Sequence, residues 1–126
     1  MIEAEQLELI VAHNEYRETI GRPYLEANTK LMELAQAHAQ WMSDKRTMSH
    51  GSWWSGNTLS SRVKKGGYTY SGIAENVAAG QSTVQQVFRA WLNSRGHRNN
   101  IRGNYTEIGV GRVGNYWCVI FGKPRT

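Results

Sequence analysis

An α+β fold with helices covering both faces of a small antiparallel sheet is what the amino-acid sequence predicts. Apolar residues recur at helical spacings in several segments before Leu92, whereas the last part of the chain alternates with the period of strands. The final strand is apolar on both faces, with Tyr116, Cys118 and Ile120 opposing Trp117, Val119 and Phe121. A sheet built on such a strand needs cover on both sides, which helices supply most simply. At 126 residues, 40% apolar and 20% charged, the chain has the size of a single domain spanning residues 1–126.

The first helix reads from about Glu3 to Thr19, with Leu7, Ile10, Val11 and Asn14 near one face and Glu3 and Glu5 in the first turn, where the helix dipole favours anions. Gly21-Arg22-Pro23 stops it. A second helix is expected from Thr29 as N-cap, carrying Leu31, Leu34, Ala35, His38, Ala39 and Met42 at spacings of three and four. The stretch Ser49 to Asn57, with two glycines and no sustained period, reads as a loop. A short helix is expected from Thr58 to about Lys65, ending at Gly66-Gly67. Ser71 to Gly80 reads as a short strand or extended loop around Ile73 and Val77. Ser82 then caps a helix with the apolar stripe Val84, Val87, Phe88, Trp91 and Leu92. Arg95 to Asn100 follows as a turn. Thr106, Ile108 and Val110 share one face of a strand bounded by Gly103 and Gly111, and Val113-Gly114-Asn115 turns into the last strand.

Fifteen Lys and Arg against ten Asp and Glu give a net charge of +5, so the chain should tolerate anionic surroundings. The positive charge is dispersed, and only Lys64-Lys65 with Arg62 forms a compact basic group, which argues against direct nucleic-acid recognition. The single cysteine, Cys118, leaves no intrachain disulfide to staple the fold, so stability is expected from packing. Within its apolar strand it reads as a small buried hydrophobe. No run of about 18 apolar residues is present, so no transmembrane segment is expected. The acidic start Met1-Ile2-Glu3-Ala4-Glu5 lacks the basic and apolar regions of a signal peptide.

Of the four histidines, His13 and His38 lie within helical patterns and read as structural groups in or beside the core. His50 and His97 lie in Gly-containing loops, where a side chain can project into a cleft without disturbing packing. Glu75 is the one charged residue in a small and apolar stretch, so it either points out at an edge or is buried with a partner. These three lie too far apart for a helical metal motif, and only the fold can bring them together. Two His and one Glu can form a three-ligand Zn site with an open position for water, or an acid/base pair without metal. Ser49 and Ser94 neighbour the two histidines, but adjacency is not triad geometry. Trp53-Trp54 beside His50 can be core or can line a groove for sugar or lipid.

Seven stretches in order resemble the CAP superfamily, also called SCP or TAPS, which includes cysteine-rich secretory, antigen 5 and plant pathogenesis-related proteins. They are His13-Asn14-Glu15-Tyr16-Arg17, Gly21-Arg22-Pro23-Tyr24-Leu25, Met48-Ser49-His50, Ala74-Glu75-Asn76-Val77, Trp91-Leu92-Asn93-Ser94, Gly96-His97-Arg98-Asn99-Asn100-Ile101 and Tyr105-Thr106-Glu107-Ile108-Gly109-Val110-Gly111. The lack of disulfides and the turn at His97 resemble the bacterial branch. The resemblance implies a three-layer α-β-α sandwich and a central cavity where two His and two acidic residues meet, a tetrad that binds Zn or another divalent cation in some members. Carried over by motif, the imidazoles are His50 and His97 and one carboxylate is Glu75. Ser94 stands where animal members have the second acid, and it brings no negative charge.

The function this implies is an extracellular or cell-envelope module with a His/Glu cleft that binds a divalent cation and an apolar (lipid or sterol) or cell-surface ligand. Ser94, Trp53 and Trp54 are the candidate ligand contacts. In the alternative, a metal-assisted hydrolase uses the same cleft, with His50, His97 and Glu75 as catalytic residues and Glu75 as the base.

Overall fold

The computed structural model describes residues 2–52, residue 54 and residues 56–126. Its elements run α1 (Ala4–Thr19), β1 (Glu26–Ala27), α2 (Thr29–Lys45), α3 (Leu59–Lys65), β2 (Tyr70–Ala79), α4 (Val84–Leu92), α5 (Arg95–Ile101), β3 (Glu107–Val113) and β4 (Tyr116–Pro124). The four strands form one sheet in the order β1-β3-β4-β2. Among the described residues, no helix is long and apolar enough to cross a membrane.

The two faces of β4 divide the core as its alternation requires. Trp117, Val119 and Phe121 join Ile108 and Val110 against α1, α4 and α5, through Leu9, Ile10, Val87, Phe88, Trp91 and Ile101. Cys118 and Ile120 join Val77 against α2 and α3, through Leu31, Ala35, Ala39, Met42 and Val63. Helices therefore lie on both sides of a central sheet, an α-β-α sandwich. On the α2 side, β3 presents Gly109 and Gly111, and a Cβ at either would strike the α2 backbone at Leu31 and Met32 or at Ala35 and Gln36. These glycines let helix backbone lie directly on strand.

The sheet is mixed: β1 pairs parallel with β3, placing Glu26 beside Glu107 and Ala27 beside Ile108, while β3–β4 and β2–β4 are antiparallel. A two-residue strand between a proline and a helix has no period to read, which is why the sequence points to a purely antiparallel sheet. In α1 the buried residues are Leu9, Ile10, His13 and Arg17, while Leu7 and Val11 are 52% and 45% exposed. The inward stripe is half polar, so of the expected face Ile10 is buried and Asn14 half-buried, while Leu7 and Val11 point outward. Arg17 is buried with four of its five N–H donors bonded: Nε donates to Pro23 O, Nη1 to Ile101 O and Gly103 O, and Nη2 to Tyr105 O. It ties α1 to the segment after α5.

Two caps shift by one residue. Asn28 caps α2, accepting from Leu31 N at 3.0 Å, and Thr83 caps α4, accepting from Gln86 N at 3.1 Å. Arg95–Ile101, expected as a turn, is the helix α5 with Ser94 at its N-cap. Gly96 argues against a helix there, but the side chain of Asn100 anchors α5 to β2 by donating to Glu75 O at 3.3 Å and Asn76 Oδ1 at 2.8 Å. Tertiary contact overrides the local signal.

Candidate functional site

Glu75 lies on β2, an edge strand, where alternation turns it towards the α2–α3 layer together with Val77 and, across the ladder, Cys118 and Ile120. Its side chain is only 1% exposed. A lone carboxylate in such a place would be neutral or disruptive, so partners are required. Arg62, presented by α3, supplies the main one. Its Nη1 donates to Glu75 Oε2 at 2.7 Å and its Nη2 to Oε1 at 2.9 Å, a two-pronged ion pair. His50 Nδ1 donates to Oε1 at 2.8 Å and Cys118 Sγ to Oε2 at 3.3 Å. Burial by itself would raise the Glu75 pKa, but the hydrogen bonds from His50 and Arg62 and the Arg62 charge prevail and lower it to about 2. Burial, and then the charge of the same carboxylate, drives the Cys118 thiol well up, so it stays protonated.

Arg62 also ties the cleft loop down. Its Nε donates to Asn57 O at 2.8 Å and its Nη2 to His50 O at 3.0 Å. From the other side, His38 on α2 holds Ser49 O through Nε2 at 2.7 Å, its ring stacked on Trp41. The backbone on either side of His50 is thus gripped while its side chain remains 57% exposed. Because a carboxylate only accepts, His50 carries its proton on Nδ1 when neutral and turns Nε2 outward.

His97 lies in the first turn of α5, which β2 positions through Asn76: its Nδ2 donates to His97 O at 3.1 Å. The His97 Nδ1 lies 2.8 Å from Ser94 Oγ. Burial, and secondarily the charge of His50, lowers the His97 pKa. Among the described residues, no hydrogen bond holds the Nε2 of either ring. The structure thus joins Glu75 to His50 directly and places Ser94 on His97. Trp54 is 78% exposed in the loop between His50 and α3, and Trp53 lies outside the described residues.

As a three-ligand metal centre the constellation does not fit. Both Glu75 oxygens already accept two donors each, Ser94 adds no charge, and among the described residues no group of three His, Cys, Asp or Glu side chains is placed to hold a metal. What the geometry offers is two imidazole nitrogens, one oriented by Glu75 from behind. Sequence reasoning missed Arg62, reading it only as part of a basic group, and missed the thiol contact of Cys118. The one available signal was physical: a buried carboxylate needs a cation, and Arg62 belongs to the basic group following the His50 loop.

Helices on both faces of one mixed sheet give the α-β-α sandwich of a CAP-like domain. Residues 10–121 match the Cysteine-rich secretory protein family, and the chain is a member of that CAP family. It is 36% identical over 123 residues to the uncharacterized protein YkwD of Bacillus subtilis (strain 168), covering 95% of this chain and 48% of that one. An extracellular protein containing an SCP domain from Bacillus anthracis superposes with a TM-score of 0.90 at 28% identity, over 94% of this chain and 40% of that chain. An outer surface protein from Borrelia burgdorferi superposes at 0.88 with 25% identity, over 99% and 97% of the two chains. The chain therefore spans about half the length of its curated relative and nearly the full length of the Borrelia protein.

Proposed function

We propose that this chain is an extracellular or cell-envelope module that binds a ligand without turning it over. On this reading His50 and His97 supply the polar contacts to the ligand, with the exposed Trp54 offering apolar contact to a lipid or sterol. The extracellular and outer-surface descriptions of the similar solved proteins support the location. The observation that carries the binding reading is the state of Glu75. A general base near neutral pH needs a pKa near 7 and a free lone pair. Glu75 has neither, being held ionised near a pKa of about 2 with both oxygens bonded. It acts as a buried post that fixes α3, the His50 loop and β2 to one another.

The test is a fluorescence titration with a fatty acid and, separately, a sterol, beside an assay for hydrolysis of casein and a simple ester. The expected result is saturable binding of a lipid that Trp54→Ala abolishes, with no turnover. Turnover that disappears in His50→Ala or His97→Ala would establish the hydrolase instead. A divalent cation is a second reading, favoured by the anchoring of both rings through Nδ1. Calorimetric titration with zinc then gives weaker binding in His50→Ala and His97→Ala than in the parent, and equal affinity in all three overturns it. Because burial lowers the His97 pKa, that ring should keep its neutral, cation-binding form further into acid than an exposed imidazole, and cation binding should weaken once it protonates.

A further inference from the structure

The edge of the sheet opposite Glu75 is closed in an unusual way. Asn28 N–H donates to Ile108 O at 3.0 Å and Glu26 N–H to Thr106 O at 2.9 Å, after which the chain leaves β3 and becomes α2. By the two-residue period of a strand, Val110 and Arg112 present their backbone groups in the same direction, into the lane that β1 has vacated. Side chains stand in for the missing strand. Gln36 grips Arg112 with both amide atoms, Oε1 accepting from N at 2.9 Å and Nε2 donating to O at 2.9 Å. Met32 Sδ accepts from Val110 N at 3.3 Å, and Gln6 Nε2 donates to Val110 O at 3.4 Å.

The amide of Gln36 reproduces the donor and acceptor of a neighbouring peptide unit. Val110 fares worse, because a thioether is a weak acceptor and 3.4 Å is a long bond. The same three side chains, Gln6, Met32 and Gln36, line a groove of about 640 Å³ that is also walled by Ile2 and Ala37. That volume falls in the range of sites that enclose ligands. Glu33 is the charged residue on its wall, exposed and without an ion pair among the described residues.

We propose that this groove docks an extended peptide of a partner protein, which adds a strand beside β3 and replaces the side-chain bonds of Met32, Gln6 and Gln36 with backbone ones. Val110 is buried beneath these side chains, so a strand reaches the β3 backbone only by displacing them, after which main-chain hydrogen bonds give affinity and alternate side chains selectivity. The occupant this groove fits has small apolar side chains towards Ile2, Met32 and Ala37 and a basic side chain opposite Glu33. The site lies on the far edge of the sheet from Glu75 and does not depend on what the cleft binds.

The probe is a short acetylated and amidated peptide alternating Val and Lys, followed through the backbone amide signals of Val110 and Arg112 and the side-chain amides of Gln6 and Gln36. Saturable shifts at these groups are expected. Methylating one inward backbone nitrogen of the peptide should weaken binding about tenfold, the effect of one lost hydrogen bond. Glu33→Gln should weaken it severalfold, and Gln36→Ala should tighten it by removing the internal competitor. Should Gln36→Ala fail to fold, Gln6→Ala makes the same test. The proposal is overturned by the absence of saturable shifts at Val110 and Arg112 up to millimolar peptide. It is equally overturned by equal affinity for the N-methylated peptide, or by self-association of the free chain through these amides, which would make the edge a dimer contact.

Discussion

Replacing Arg62 with Met leaves the Glu75 carboxylate buried beside a thiol and a half-exposed imidazole, with its principal counter-charge gone. Removing one member of a buried ion pair costs about 3–5 kcal/mol, so Arg62→Met should lose that much in urea unfolding. A loss under about 1 kcal/mol would mean that Arg62 is a surface ion pair of ordinary value. His13 is the second consequential residue. It is fully buried among Phe88, Trp91 and Phe121, with Nδ1 donating to Leu9 O at 2.8 Å, and burial lowers its pKa to about 4. Unfolded, it would take up its proton near pH 6.5, so between about 6.5 and 4 the unfolded chain binds more protons and stability falls as pH falls. Glu75 continues the decline: its stabilisation is complete above its ordinary value of 4.5 and is lost as pH drops towards 2. Urea midpoints measured from about pH 7 to about pH 3 should therefore decrease throughout; a flat profile between about 7 and 4 would contradict the burial of a neutral His13. At this scale the sequence identifies His50, His97 and Glu75 as chemically distinct through their local surroundings. It hides Arg62, because an arginine that ends in the core looks the same in sequence as one that ends in water.

Among the elements, those legible in the sequence are the ones whose hydrophobic period matches their burial. The stripe of α4 and the alternation of β4 point where they should, and α3 begins at its Thr58 cap and stops at Gly66. The illegible ones have polar anchors in place of an apolar period. The inward face of α1 is carried by His13 and Arg17 beside Leu9 and Ile10, α5 is held by Asn100 on β2, and β1 exists because two backbone N–H groups meet β3. The close approach of α2 to β3 rests on Gly109 and Gly111. Gly111→Ala places a methyl against the backbone of Gln36 and Ala35, which cannot swing away as a side chain would. The substitution should cost about 1–3 kcal/mol through overpacking. Circular dichroism melts read the loss directly, and an unchanged melting temperature would mean that α2 stands off the sheet.

At the level of the whole molecule, one sheet serves two apolar layers, so neither layer can form without the strands that complete the other. Far-ultraviolet circular dichroism and tryptophan fluorescence should report a single coincident unfolding transition, because Trp91 and Trp117 lie in the α1–α4 layer and Trp41 packs against the α2 layer, while circular dichroism follows all of the helices. Two separated transitions would show that the layers are independent. Glu75 on β2 and the proposed peptide groove beside β3 lie towards opposite edges of the same sheet, so the two proposals can be tested independently. The chemistry of the cleft depends on Glu75 being an ionised post that orients His50, and the titration of its side-chain carboxyl carbon by nuclear magnetic resonance measures that state directly. The expected midpoint is about pH 2, well below the ordinary value of 4.5. A midpoint at or above 4.5 would contradict it and return Glu75 to the role of an available acid or base.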